Sequence, residues 1–388
     1  MKILLVAYEY PPYSFGGVST YNYELSRGLV ENLDNVSLTI VAGKSQKPFL
    51  ESKIHERIRI LRVPVPEVPP RFYWFQLFNR ELILKLIKKH DIIHVHGTLS
   101  SLILKDLKKV KKKIIVTIHS QPIDVGKNAI KGGIYSNSPK DIFLGIGTLT
   151  LRKELYKKDL MFSDIIVFVS KHLLTEYVSY YEKLRDLIIG KSHIIPVGIN
   201  VDNIAKYRGR GKKQNMNVAY IGRLFYSKGI TYAINAIYTL IKEYKINVTF
   251  HIFGTGPLKN RLEKYVRKHN LEKNVIFYGF VSRDILLQKL SKCNVLLFPS
   301  LYEACPTALL EANAMGIPAV SFDLIWSREF IINGVNGYLS PPFDVDGLAS
   351  NVLRACKLNP KLCQEVVRRY NIKLVINKIV ELYNLLQN

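Results

Sequence analysis

Short runs of branched and aromatic apolar residues alternate along the chain with longer stretches in which apolar residues recur every three or four positions. In the first half the short runs fall at 3–7, 37–42, 58–63, 92–95, 114–118 and 165–169, the pattern of buried strands. The helical period fills 20–30, 75–88, 99–110 and 149–160. A polar, basic stretch at 200–217, containing Arg208-Gly-Arg-Gly-Lys-Lys213, interrupts the alternation and reads as an exposed connector. Beyond it the alternation restarts, with strands expected at 218–221, 248–253, 275–278, 295–298 and 319–321 and helices at 230–244, 258–269, 284–292, 308–315 and 348–356.

Strands separated by helix-length segments predict parallel sheets covered on both faces, so the fold class is α/β with two Rossmann-like, doubly wound domains. The expected division is an N-terminal domain at 1–199, the connector at 200–217, a C-terminal domain at 218–362 and a helical segment at 363–388. That last segment follows a completed sheet and is expected to pack back on the first domain.

Charge narrows the ligand class. The 388 residues carry a formal net charge of +25, split as +12 in residues 1–200 and +13 in the remainder. Such an excess favours phosphorylated ligands, polyanions or an anionic membrane surface. Nucleic acid is not expected as a partner, since neither an aromatic-basic module nor a helix-turn-helix pattern occurs. The longest apolar runs, at 3–8 and 142–151, fall well short of the roughly 18 to 20 residues that span a bilayer. Residues 2–8 meet Glu9 and two prolines before a signal-peptide core forms. Four cysteines in no pattern give neither a disulfide scaffold nor a zinc site. A cytoplasmic location follows, with peripheral attachment to the inner face of a membrane as its variant. The lysine run 105–113 and the aromatic stretch 71–75 fit such a surface, or else a solvated helix face.

In open parallel sheets ligands bind where strands end and helices begin. Four such places carry chemistry. Tyr8 to Gly17 follows the first strand; Gly16 and Gly17 let backbone amides approach an anion, with Ser19 or Thr20 as the helix cap. No dinucleotide fingerprint occurs there. Gly222-Arg-Leu-Phe-Tyr-Ser-Lys-Gly229 puts the cations Arg223 and Lys228 on a glycine-flanked loop, suited to a diphosphate that gains charge when a bond to it breaks. Either cation taken singly would be an ordinary solvated charge. In Ser300 to Glu311 a helix start at Pro306 and Thr307 leaves the amides of residues 307–310 without acceptors inside the helix. Glu303 and Glu311, eight residues apart, suit sugar or ribose hydroxyls better than phosphate. The fourth place is His94-Val-His96 with His119. A third metal ligand at credible spacing is missing, His94 fits a structural role, and His119 is the better candidate near the chemistry. The D-x-D spelling of Asp344 and Asp346 precedes a helix and is better explained by capping than by metal.

On these residues the chain resembles the retaining glycosyltransferase family 4, whose GT-B architecture sets two Rossmann-like domains across a cleft. The matching motifs are Gly222-Arg-Leu-x3-Lys-Gly229, Gly254-Thr-Gly-Pro257, Val275 to Phe280 and Glu303-x7-Glu311, in the family order. The resemblance implies a hexosyltransferase that takes a nucleoside-diphosphate sugar as donor and needs neither cofactor nor metal. It assigns the donor diphosphate to Arg223, Lys228, Gly17 and the stretch Thr307, Ala308, Leu309 and Leu310. Glu311 goes to the ribose, and Glu303 to the donor sugar and catalysis. Gly222, Gly254, Gly256, Tyr278 and Phe280 line the nucleotide pocket. His119 lies by the reacting carbon, and Gly16 and His96 lie on the acceptor side. The acceptor is a glycan, a lipid-linked or a small-molecule hydroxyl. The family's Pro-Asn-Gly-Val/Ile-Asp is replaced by Pro196-Val-Gly-Ile-Asn200, and the aspartate of its Gly-Asp-Gly-Pro by Thr255. The competing readings are a nucleotide-sugar epimerase or a phosphorylase on the same architecture, the latter without a recognisable pyridoxal phosphate lysine, and a non-enzymatic polyanion-binding protein.

Overall fold

A computed structural model describes residues 1–13, 16–44, 50–66, 71–97, 112–120, 153–207 and 216–387, with short pieces at 126–127, 130–134, 142–143, 145–146 and 149. The chain forms two compact units, one of residues 1–130, 143–199 and 372–388, the other of 131–142 and 200–371.

The first unit is built on an eight-stranded sheet. Its strands are β1 (Lys2–Ala7), β2 (Ser37–Lys44), β3 (Leu50–His55), β4 (Ile58–Pro64), β5 (Ile92–His96), β6 (Lys113–Ile118), β7 (Ile165–Phe168) and β8 (Ser192–Ile194). They lie in the order β3-β4-β2-β1-β5-β6-β7-β8, all parallel except the β3–β4 pair. Ile3, Leu4, Leu5 and Ala7 of β1 are fully buried, as a central strand covered on both faces must be. The edge strands β3 and β8 are polar or short, and their sequences lack the apolar run that marks the others.

The helix Gly17–Asn32 leaves β1, and the helix Ile372–Gln387 packs on it within the same unit. Gly28 makes that approach possible, because a Cβ there would stand 1.9 Å from Ile376 Cδ1. The apolar period expected to be one helix at 75–88 is two, Arg71–Phe78 and Arg80–Lys89. The Asn79 side chain breaks them by donating to the carbonyls of Phe75 and Pro64 at 2.8 and 3.3 Å. The expected helix at 99–110 and most of the lysine run lie outside the described residues.

The second unit holds a six-stranded, all-parallel sheet of β9 (Met216–Ile221), β10 (Val248–Phe253), β11 (Val275–Gly279), β12 (Val295–Leu297), β13 (Ala319–Phe322) and β14 (Gly337–Ser340). Their order, β11-β10-β9-β12-β13-β14, reverses direction between β9 and β12. That reversal is the topological switch point of a doubly wound sheet, where loops diverge and leave a crevice. The core packs Val218, Tyr220, Phe250, Ile252 and Val320 from the strands against Ile234, Ile237, Leu240 and Val352 from the helices Ile230–Lys242 and Val345–Ala355.

Two of the expected bounds move. Residues 200–207 belong to the second unit, where Val201–Ala205 is a short helix whose cap, the Asn200 side chain, accepts from the Asn203 amide at 3.1 Å. Residues 208–215 lie outside the described residues. The C-terminal helical stretch is also divided. Pro360–Val367 stays with the second unit, and only the segment from Ile372 onward belongs to the first.

Candidate functional site

In the second unit the two sides of the switch point are the loop after β9, with Arg223 and Lys228, and the loop after β12, with Glu303 and the helix Thr307–Ala314. The loops are tied together. The Leu301 amide donates to the Ser227 carbonyl at 2.8 Å, and the Ser300 hydroxyl lies 3.3 Å from the same oxygen. From beneath, the buried Tyr220 hydroxyl lies 3.2 Å from the carbonyls of both Arg223 and Lys228. Burial holds that phenol well above its ordinary pKa, so it stays a donor. Gly229 has φ +66°, and a Cβ there would stand 1.8 Å from the Pro299 carbonyl oxygen, so only glycine lets the loops approach this closely.

Lys228 Nζ lies 2.6 Å from Glu303 Oε1, a contact between side chains 28% and 12% exposed. Arg223 is exposed, with its guanidinium 5.7 Å from the centre of the Phe225 ring. Glu311 is buried one turn into its helix and bonded by Arg283 Nη2 at 2.8 Å. Sequence spacing did not single out Arg283. Its signal was position alone, since it opens the helix Arg283–Leu290 just after β11 and so stands at a strand end like the other site residues. The strand-end loops and helices of this sheet thus carry two cation–carboxylate pairs, Lys228–Glu303 and Arg283–Glu311.

The expectation for residues 307–310 is corrected. Thr307 N–H donates to the Cys305 carbonyl, and the amides of Leu309 and Leu310 donate to that of Pro306, at 3.1, 3.0 and 3.1 Å. The tight turn at Pro306 satisfies them locally, and Ala308 alone of the four has no backbone acceptor among the described residues. Gly254 and Gly256 are explained by packing within the protein. A Cβ at Gly254, where φ is +136°, would stand 1.9 Å from the Gly222 carbonyl oxygen, and one at Gly256 2.5 Å from that of Leu224. Tyr278 turns its ring along the sheet, stacked at 4.8 Å on Phe253 with its hydroxyl 3.1 Å from His251 Nδ1. Phe280 is exposed. Asp344 caps the helix Val345–Ala355, accepting from the Gly347 amide at 2.8 Å.

In the first unit β1, β5 and β6 end side by side, and β1 and β5 flank that sheet's own reversal. Gly16, with φ +145°, is the N-cap of Gly17–Asn32 and its carbonyl accepts from Thr20 N. The expected side-chain cap from Ser19 or Thr20 is not made, because both residues already lie inside the first turn.

His94 is buried and satisfied at both nitrogens, by the Tyr383 hydroxyl and by Thr117 Oγ1, each at 2.7 Å. His96 Nδ1 lies 3.1 Å from His119 Nε2, whereas His96 Nε2 is buried with no partner among the described residues. A buried N–H left unpaired is costlier than a bare lone pair, which assigns the His96 proton to Nδ1. Nδ1–H then donates to His119 Nε2, and His119 carries its own proton on Nδ1. Burial drives all three imidazoles toward the neutral form, with the pKa of His94 lowered to about 3, that of His119 to about 4 and that of His96 well below its ordinary value. His119 is therefore a neutral hydrogen-bond donor.

Two family profiles match nearly all of the chain: Glycosyltransferase Family 4 over residues 15–203 and Glycosyl transferases group 1 over residues 203–371. The chain belongs to glycosyltransferase family 4. It is 28% identical to the uncharacterized glycosyltransferase MJ1607 of Methanocaldococcus jannaschii, covering 91% of this chain and 88% of that one. A UDP-Gal:alpha-D-GlcNAc-diphosphoundecaprenol alpha-1,3-galactosyltransferase of Escherichia coli is 27% identical over 50% of this chain and 54% of its own. Among solved structures, Anabaena HepE in complex with UDP and glucose superposes with a TM-score of 0.69 at 15% identity, covering 99% of both chains. The family 4 chain thus has the GT-B fold and is a glycosyltransferase. Among the described residues no helix is long and apolar enough to cross a membrane.

Proposed function

We propose that this glycosyltransferase moves a hexose from a nucleoside-diphosphate sugar to a hydroxyl acceptor with retention of the anomeric configuration. The carrying observation is the Lys228–Glu303 contact at the β9/β12 switch point, with Arg223 on the same loop and Glu311 on the adjoining helix. A bound pyrophosphate meets fixed cations there, and Glu303 and Glu311 accept from sugar and ribose hydroxyls. The UDP and glucose named in the HepE complex, and the UDP-galactose in the relative's name, support a UDP-hexose as donor.

In this reading the bond from C1 to the diphosphate oxygen breaks and the acceptor oxygen bonds C1 on the same face. The acceptor proton passes to the departing diphosphate, whose growing charge Arg223 and Lys228 stabilise. The first unit binds the acceptor, with His119 Nδ1–H donating to a sugar oxygen. The net charge of +25 and the diphosphoundecaprenol acceptor in one relative's name favour a glycan on an anionic, lipid-linked carrier at a membrane surface.

The test is a panel of UDP-, GDP- and ADP-hexoses scored by thermal stabilisation, followed by NMR of the product's anomeric proton. A stabilising UDP-hexose and an α-linked product from an α-donor are expected. An inverted product, a glycosyl ester trapped on a side chain, or an epimer formed from donor without acceptor overturns the reading. Sedimentation with anionic liposomes that is lost at high salt is expected of a membrane-surface acceptor, and indifference to liposomes points to a soluble one.

A further inference from the structure

The first unit contains a cavity of about 370 Å³ between the turn that follows β1 and the strands β3 and β4. Tyr10, Tyr13 and Tyr23 line it together with Ile54, Ser52 and Arg62. None of these residues belongs to the histidine group or to the switch point of the second unit. Tyr13 and Ile54 are 45% and 42% exposed, so the cavity reaches solvent.

Arg62, on β4 near its carboxyl end, is only 4% exposed. Its guanidinium carbon lies 5.7 Å from the centre of the Tyr10 ring and 5.0 Å from that of Tyr13. Nη2 donates to the Pro11 carbonyl, which anchors the turn. Nη1 is buried and has no hydrogen-bond partner among the described residues, and no ion pair to Arg62 is found among them. Among the described residues this buried guanidinium is held by a carbonyl and two ring faces and has no counterion, and an oxyanion entering the cavity would supply one. Aromatic walls meanwhile suit the C–H faces of a pyranose, and the volume lies in the range of small-ligand sites.

We infer that this cavity is an acceptor subsite for a sugar unit bearing an oxyanion, a carboxylate or a phosphate, with Arg62 pairing the anion and the exposed Tyr13 ring stacking the sugar. The inference rests on the reading of the first unit as the acceptor-binding half. It deepens that reading by making the acceptor acidic. The shared chemistry is one anionic group on a pyranose, which a uronic acid and a sugar phosphate both present.

The test is calorimetric titration of the full chain with methyl glucuronide, glucose 6-phosphate and methyl glucoside, with UDP titrated separately. The anionic ligands are expected to bind about tenfold or more tightly than the neutral one, with an affinity that falls as salt rises. The arm that binds better tells carboxylate from phosphate. Arg62→Gln should bring the anionic ligands down to the neutral level. Tyr13→Ala, at a ring 45% exposed, should weaken all three. Neither change should alter UDP affinity. Equal binding of anionic and neutral sugars to the unaltered protein, or an Arg62→Gln protein that still prefers the anions, overturns the inference. Should Arg62→Gln unfold through loss of the Pro11 anchor, the charged-against-neutral comparison and Tyr13→Ala decide it. If UDP fails to bind the unaltered protein, the donor reading falls, and the saccharide titrations still judge the subsite.

Discussion

Arg283, the first residue of its helix, holds Glu311 at 2.8 Å, although 28 positions separate them in the chain. Glu311 is thus oriented before any ligand arrives. Glu311→Ala is expected to weaken UDP binding by about ten- to a hundredfold, the range for one hydrogen bond to a charged group. Arg283 is 36% exposed, so its orphaned charge is solvated and the stability change should stay within about 1 kcal/mol. Calorimetry with UDP and a thermal melt check the two parts, and an unchanged UDP affinity would remove Glu311 from nucleotide binding.

Lys228→Met should lower kcat by about a hundred- to a thousandfold, the range for loss of one preorganised group that stabilises developing charge. Lys228→Arg should recover part of it, because a guanidinium keeps the charge but reaches Glu303 with a different geometry. Glu303 is 12% exposed and loses its cation in the Met variant, so a lower melting temperature should accompany the kinetic loss. Initial rates with saturating donor, read beside melts of each variant, are the measurement.

Gly254→Ala should destabilise the second unit by more than about 1 kcal/mol, since φ +136° and the 1.9 Å clash with the Gly222 carbonyl both oppose a Cβ. The loop bearing Arg223 must then shift. Denaturant unfolding and UDP affinity should fall together, and a loss of affinity at unchanged stability would contradict the packing explanation.

The histidine group predicts an acid-sensitive first unit. Its folded pKa values lie below 6.5, so between 6.5 and about 4 the unfolded chain binds more protons than the native one, and stability rises with pH. The stabilising contribution is full above pH 6.5. It is lost as pH falls, by about 1.4 kcal/mol per pH unit for each group well below its unfolded pKa. Tyr383→Phe, which removes a partner of His94, should cost about 1 kcal/mol at neutral pH. Urea titrations at several pH values test both, and a flat profile between pH 6.5 and 5 would refute the buried neutral assignment.

Elements with a strong apolar signature were legible in the sequence. The run Val248 to Phe253 is the strand β10 at its full length. What was illegible lies where pattern is weak or where contact is distant. β3 and β14 are too polar or too short to stand out, and the break at Asn79 depends on a side chain turning back on its own backbone. The pairings of Glu303 with Lys228, 75 positions apart, and of His94 with Tyr383, 289 apart, are set by sheet order, which periodicity does not encode. Arg62 reads in the sequence as one more basic residue on a strand. The turn at Pro11, from 51 positions away, closes over it.

Because the helix Ile372–Gln387 belongs to the first unit, that unit is assembled from residues on both sides of 200–371, the bulk of the second unit. On the ribosome, residues 1–199 must wait for Tyr383 to emerge before His94 gains its partner, while residues 200–371 can already collapse. The later-made unit is thus free to mature first, and the earlier-made unit is completed when the helix Ile372–Gln387 docks.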